Sequence, residues 1–354
     1  KNELGLRVSI AIGFSADPNC SPCEMGQKKI LADFGITEEY TGAPIRSSME
    51  TVQVGVTKPH GFPARIDRYA AEADWIIPIG RIKPHTDIRG PIQSGILKMI
   101  VIGMGKQHGA YQCHKLGFKS MAANVKEFAG AIIEKKPNMF AIGLIENAYH
   151  QTCRIEAIPA GRILEEEPPL LEYAKSRMAK VPFDQADILF VDETGKDISG
   201  AGMDPNVTGR SAQNGISRPF AERIVARDLT DEAHHNATGM GNADVTTRRL
   251  FDKIDMEQTY PNSLTSRDIN GFRIPIVMEN DDLAIRFALH TITGANAASG
   301  YRAMWIRDTN HVQTFYVTER LLADTAAMPW LRTDGVALRP VFGADGYFTG
   351  WERA

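Results

Sequence analysis

The chain has 354 residues, 43% of them hydrophobic and 23% charged, a composition typical of water-soluble globular proteins with room for two domains. Its net charge of −3 gives no general attraction to nucleic acid or anionic membranes, and no apolar run reaches the roughly 20 residues of a membrane-spanning helix. Four cysteines do not make a disulfide scaffold, and the start KNELGLRVSIAIGF lacks the order of a signal peptide, so we expect a cytoplasmic protein.

Short apolar runs alternate with helical patterns in the first half of the chain. The runs predicted as buried strands are RVSIAIGF (7–14), DWIIPIG (74–80), MIVIGMG (99–105) and MFAIGLIEN (139–147). Helical spacing marks CEMGQKKILADFG and KSMAANVKEFAGAIIEKK, the second as the crossover helix of a βαβ unit. A helix from about Leu170, a strand at 187–192 and a glycine-rich loop follow.

The pattern becomes less regular after Asp204. ADVTTRRLFDKID and DDLAIRFALHTI are predicted helices, RIPIVMEND and YRAMWIRDT strands, and TFYVTERLL a strand leading into a helix. Continuous apolar strands with intervening helices favour sheets covered on both faces. We therefore expect an α/β fold of two lobes with mainly parallel sheets covered by helices, over residues 1–180 and 181–354. The active site is expected in the cleft between the lobes, beyond the carboxyl ends of strands.

Titratable groups and glycine turns are concentrated in RIKPHTDIRGPIQSGILKMIVIGMGKQHGAYQCHKLGF, residues 81–118. His85 follows a proline that limits the backbone, and Lys98 stands within an apolar segment, where an ammonium group is rarely buried without a reason. GMGKQHGAYQCH is predicted to be a glycine-flexed loop that ends in His114. This clustering predicts a functional site. A capped loop histidine at 85, a Lys98 whose amine reaches the surface and a solvated His108 are the structural alternatives.

Cys20 and Cys23 form a lone C-x-x-C motif, CSPC. A zinc site would need a second pair, and Cys113 and Cys153 are far from each other in the sequence. A redox pair stays open beside the simpler interpretation of two loop cysteines without a joint role.

Four blocks along the chain together resemble the lactate racemase family, whose members use a nickel-pincer nucleotide cofactor. They are FGITEEYTGAPIRSSMETVQVG, KPHTDIRGPIQSGILKMIVIGMGK, VDETGKDISGAGMDPNVTGR and GMGNADVTTRRLFDKIDMEQTYPNSLTS. The chain looks most like the shorter homologues that racemise or epimerise other 2-hydroxy acids. The resemblance implies that residues 1–180 form the cofactor-binding domain, loaded by transient contact with cofactor-biosynthesis proteins. Neither nucleic acid nor a membrane is an expected partner, and an oligomer is possible.

The resemblance also assigns roles to individual residues. The family's Ser-Gly-x-x-Lys pattern falls on Ser94, Gly95 and Lys98, and the lysine of that pattern is joined through a thioamide to the pyridinium ring of the cofactor. His114 matches the family's nickel ligand, and His85 matches one of its two catalytic bases.

A cation must hold the substrate's carboxylate during catalysis. Lys196, in the glycine-rich loop after the strand DILFVD, is the first candidate and Arg89 the second, while a solvated loop lysine is the alternative at 196. A dicarboxylate would need a second cation, which could come from Arg89, Lys83, Arg210, Arg248 or Arg249. The pair at 248–249 is otherwise expected in surface or interdomain salt bridges.

The chain departs from the family pattern after its first strand. The arginine turn and the histidine loop that supplies the second base have no counterpart, and nothing in the motif supports His60 as a replacement. Either a βα unit is missing, which leaves a one-base enzyme or a non-catalytic binder of the cofactor or of a hydroxy acid, or the sequence skips residues. We predict an abnormal connection between Phe14 and Glu24. A nicotinamide-dependent dehydrogenase is disfavoured, because no G-x-G-x-x-G follows the first strand.

Overall fold

The chain folds into two units, each with its own sheet and hydrophobic core. They are seen in a computed structural model, which describes residues 9–11, 24–115 and 117–354. Unit 1 comprises the described residues of Lys1–Met178 together with Thr265–Arg267, and unit 2 comprises Ala179–Leu264 and Asp268–Ala354. No described helix is both long enough and apolar enough to cross a membrane.

Unit 1 combines short strands with helices of up to four turns. Its strands are β1 (Ile10–Ala11), β2 (Ile45–Arg46), β3 (Thr51–Val56), β4 (Pro63–Asp67), β5 (Ile79–Arg81), β6 (Phe140–Glu146) and β7 (Thr152–Pro159). Its helices are α1 (Glu24–Asp33), α2 (Glu38–Thr41), α3 (Arg68–Glu72), α4 (Ile96–Lys98), α5 (Lys106–His114), α6 (Met121–Lys135) and α7 (Ile163–Arg177). The sheet has the order β5-β6-β7, in which β6 runs parallel to β5 and antiparallel to β7.

The structure confirms β6 and the crossover helix α6, which lies between the parallel strands β5 and β6. The run at 74–80 yields β5 only at its end, preceded by an isolated bridge between Ile76 and Met139. Of the run at 7–14, the described part is β1, which pairs with β2. Cys20, Cys23 and the predicted connection between Phe14 and Glu24 lie outside the described residues.

Two predictions in the central segment are wrong. Met99–Gly103, predicted as part of a strand, is a π-helical turn that continues α4. The prediction failed because a short, largely buried apolar run has no period that separates a helix from a strand. The predicted loop ending in His114 is α5. A Cβ atom at Gly109 would lie 2.7 Å from the carbonyl oxygen of Val101, so this glycine allows close packing rather than loop flexibility. Further on, α7 begins at Ile163, seven residues before the predicted Leu170.

A buried ion pair fixes the start of α5. Lys106 and Asp67 are 1% and 2% exposed, and their Nζ and Oδ2 atoms are 3.3 Å apart. The other carboxylate oxygen, Oδ1, accepts hydrogen bonds from the backbone N–H groups of Tyr69 and Ala70 and caps α3. The charge of this lysine is therefore matched inside the core.

Unit 2 is built on a larger sheet. Its strands are β8 (Gln185–Thr194), β9 (Arg210–Ser211), β10 (Gly215–Ile216), β11 (Phe220–Leu229), β12 (Val245–Thr247), β13 (Ile276–Met278), β14 (Ala303–Ile306), β15 (Tyr316–Val317), β16 (Leu338–Phe342) and β17 (Phe348–Arg353). Its helices are α8 (Pro205–Thr208), α9 (Arg248–Asp252), α10 (Met256–Ser266, whose last two residues are counted with unit 1), α11 (Asp281–His290) and α12 (Glu319–Leu322).

The main sheet has the order β13-β12-β11-β8-β14-β15 and is parallel except for β15. Both faces are covered, since Leu189 and Val191 of β8 join one core cluster and Ile188 and Phe190 the other. This confirms the predicted α/β class with a mainly parallel sheet. The chain leaves β8 on one side toward β11 and later returns on the other side to β14. The carboxyl ends of β8 and β14 therefore form a topological switch point.

A charged network is buried beside the hairpin formed by β16 and β17. Asp281, at the start of α11, is fully buried, and its Oδ2 accepts from Arg227 Nη2 at 2.7 Å and from the Phe348 N–H at 2.8 Å. Arg227 also pairs with Asp192, whose Oδ1 accepts from Trp305 Nε1 at 2.6 Å. The network thus ties the first turn of α11 to β8, β11, β14 and β17.

Candidate functional site

The loop that follows β5 is closed at its base by backbone hydrogen bonds. Lys83 and Ser94 exchange two backbone hydrogen bonds of 3.0 and 3.3 Å at its base. Inside the loop, the Gln93 side chain accepts from the His85 N–H at 2.8 Å and donates to the Gly90 carbonyl at 3.1 Å. Gln93 is 4% exposed, so this bracing is shielded from water.

His85 is held in one tautomer by its own loop. Its Nδ1 accepts the backbone N–H groups of Asp87 at 2.9 Å and Ile88 at 3.1 Å, so the ring proton of the neutral imidazole lies on Nε2. Burial lowers the pKa of His85 well below its ordinary value, and electrostatic interactions with Lys98 and His114 lower it further. The imidazole is therefore neutral at physiological pH.

Lys98 is the last residue of α4 and is half-buried. Burial lowers the pKa of its amine to about 8, with a further contribution from the charge of Lys83. An amine with this pKa is partly unprotonated near neutral pH and is a competent nucleophile.

His114 ends α5 and is half-buried as well. Burial lowers its pKa to about 4, helped by the charges of Lys98 and Arg267, so the imidazole is neutral and able to bind a metal. The neighbouring Cys113 is buried, and burial raises the pKa of its thiol to about 12, which makes it an unreactive group. Among the described residues no group of three or more His, Cys, Asp or Glu could hold a metal ion.

Lys98 and His114 thus lie close enough to His85 to lower its pKa, and Lys98 lowers that of His114 as well. Arg89 is exposed, and its guanidinium donates to the His85 carbonyl at 2.8 Å, which adds a second brace to the loop. His108 is exposed on α5.

One residue beside this cluster was missed by the sequence. Glu167 of α7 is 1% exposed, and its Oε2 accepts the Leu97 N–H at 2.8 Å. Burial raises the pKa of its carboxyl to about 7, opposed by the backbone N–H groups of Leu97 and Ile96. A buried glutamate within a charged helix start gives no signal in the sequence, because its partner lies 70 residues away.

The shifted pKa of Glu167 predicts a pH dependence of stability. The folded value of about 7 lies above the ordinary 4.5, so the folded state binds the extra proton between these values. The stabilisation that comes from protonated Glu167 is complete below pH 4.5 and is lost as the pH rises through 7. We expect the unfolding free energy of the protein to fall by on the order of 2–3 kcal/mol over this window relative to Glu167→Gln. Urea unfolding of both proteins from pH 4.5 to 8 measures the difference, and parallel curves would contradict it.

In unit 2, Lys196 follows β8 at the switch point and is half-buried. Its Nζ donates to Asn262 Oδ1 at 2.8 Å, and the Asn262 amide donates to Thr238 Oγ1 at 3.0 Å. Asn262 is 7% exposed and thereby holds the lysine in place. Asn262 is a second residue that the sequence did not reveal.

The other cationic candidates of unit 2 are engaged elsewhere. Arg210 pairs with Asp244, and Arg249 with Asp228 and Asp281. Arg248 pairs with Asp252 one turn further along α9.

Similarity to known proteins is found at the level of solved structures. No family model and no curated protein matches the chain. Among solved structures, the chain is similar to the lactate racemase apoprotein from Thermoanaerobacterium thermosaccharolyticum, with 13% sequence identity over 93% of this chain and 76% of that chain and a TM-score of 0.45.

Proposed function

We propose that the protein is a racemase or epimerase of a small 2-hydroxy carboxylic acid and that unit 1 binds a nickel-pincer nucleotide through Lys98. The observation that supports this proposal most is the association of a nucleophilic Lys98 amine with the neutral imidazoles of His114 and His85.

The side chains present fit such a cofactor. Lys98 would hold the pyridinium ring as a thioamide, and acylation would remove the charge whose burial is now unfavourable. His114 would bind the nickel, for which a neutral imidazole is a suitable ligand. Ser94 and Gly95 form the approach to the helical turn that carries Lys98. When bound, the cofactor supplies an electrophilic acceptor for the α-hydrogen of the substrate as a hydride.

His85 would act on the oxygen at C2 of the substrate through Nε2. Because its Nδ1 accepts two backbone hydrogen bonds, the resting ring offers an N–H donor. The base role that the resemblance implies requires a lone pair on Nε2, and therefore transfer of the ring proton to Nδ1 and loss of those two bonds. His85 in its resting tautomer thus orients the substrate oxygen, and only the tautomer with its proton on Nδ1 could take the hydroxyl proton.

The substrate's carboxylate needs a cation that stays in place. Lys196 is the candidate of unit 2, because Asn262 fixes its amine. Arg89 is the candidate of unit 1, where it is exposed beside His85.

The test is expression of the protein together with the cofactor-biosynthesis enzymes. Intact mass should show a cofactor-sized adduct, metal analysis should show nickel, and chiral chromatography should show interconversion of the enantiomers of a small 2-hydroxy acid. The bare polypeptide mass without nickel would overturn the proposal. An adduct without interconversion of any hydroxy acid would identify a non-catalytic binder of the cofactor instead.

A further inference from the structure

We propose that Glu167 is the positioning residue of Lys98, because its carboxylate caps the helical turn that carries the lysine. The role of the lysine rests on the proposed function, whereas the contact itself does not.

The turn needs a cap that its own sequence does not provide. The first N–H groups of a helix have no partner within the helix, and a Ser, Thr, Asp or Asn at the N-cap position usually accepts one of them. In α4 that position is Gly95, which has no side chain. The Leu97 N–H donates instead to Glu167, from a helix 70 residues further along the chain. With 1% exposure, this carboxylate has almost no water to replace the bond.

Gly95 leaves the space that the carboxylate fills. A Cβ atom at this position would lie 2.5 Å from Glu167 Oε1 and 2.7 Å from its Cδ, closer than real atoms approach. The backbone at Gly95 has a φ of 173°, an extended conformation open to any residue. Glycine is therefore required at position 95 to leave space for the Glu167 carboxylate, and we call these two residues the Gly95–Glu167 cap.

The Gly95–Glu167 cap acts on Lys98 through the backbone. Lys98 is three residues beyond Gly95, within the single turn that the carboxylate caps. Release of the turn would allow the amine to leave its half-buried position beside Lys83. A role limited to packing would weaken the fold and leave the amine of the folded protein unchanged.

Acetylation of Lys98 in the cofactor-free protein distinguishes the two roles. The protein is treated briefly with acetic anhydride from pH 6.5 to 10, and the Lys98 peptide is quantified by mass spectrometry. In the unaltered protein the rate should rise with a midpoint near 8. In Glu167→Ala, which removes the acceptor of the Leu97 N–H, the midpoint should move toward the ordinary lysine value of about 10, with a drop of roughly tenfold in rate at pH 8. Glu167→Gln, whose amide oxygen can still accept this bond, should largely keep the profile, and Glu165→Ala, an exposed change in the same helix, should leave it unchanged. A normal profile in folded Glu167→Ala would overturn the proposal.

A double-mutant cycle keeps the test decisive if one variant folds poorly. Gly95→Ala should shift the profile in the unaltered background, because its methyl group displaces the carboxylate. In a Glu167→Ala background the same substitution should shift the midpoint little further, whereas additive shifts would show that Gly95 and Glu167 do not act as one cap. None of these measurements uses the cofactor or a substrate, so failure of the racemase proposal would leave their outcome unaffected.

Discussion

Lys98→Arg should abolish the covalent adduct and lower turnover by roughly 10⁴-fold or more, as is typical for the loss of a covalent catalytic group. Arginine keeps the length and the charge of the side chain, but its guanidinium stays protonated and cannot form the thioamide. Because Lys98 is half-buried at the end of a helix, the fold should tolerate the exchange.

Intact mass and chiral chromatography after co-expression measure both effects. Lys119→Arg is the matched control, since this lysine is exposed and lies outside the cluster, and it should keep the adduct. A cofactor-sized adduct on Lys98→Arg would show that another side chain forms the link.

Asp281→Ala should lower the free energy of unfolding by about 3–5 kcal/mol, as expected when one partner of a buried ion pair is removed. The substitution would leave Arg227, which is 5% exposed, with one carboxylate instead of two and would remove the acceptor of the Phe348 N–H. Urea unfolding followed by tryptophan fluorescence is a direct readout, because Trp305 and Trp351 pack together at this network.

Asp282→Ala provides the comparison. Asp282 is adjacent in the first turn of α11 but pairs with the exposed Arg286, so its loss should cost less than about 1 kcal/mol. Equal effects of the two substitutions would show that the buried network adds nothing beyond the helix start.

The sequence predicted those elements whose pattern is set locally. The apolar runs of β6, β8 and β14 and the amphipathic α6 and α11 were found because burial on one or both faces imposes a period or a continuous run. FAERIVARDL was missed as a central strand, because its charged residues join networks that only the folded sheet creates. The early start of α7 was hidden by Pro168 and Pro169, which usually mark a helix boundary.

The candidate site shows the same division. His85, Lys98 and His114 stand out because titratable groups among apolar and glycine residues are unusual in any sequence. Glu167 and Asn262, which contact the Lys98 turn and Lys196 respectively, are ordinary polar residues whose partners are 70 and 66 positions away. Only folding brings each of them to its own partner.

The close contact between Gly95 and Glu167 carries an expectation about evolution. In homologues that keep an acidic residue at position 167, position 95 should remain glycine. In homologues that lose this acidic residue, alanine or serine should appear at position 95. The two sites would then covary across an alignment although the first belongs to a recognised motif and the second does not.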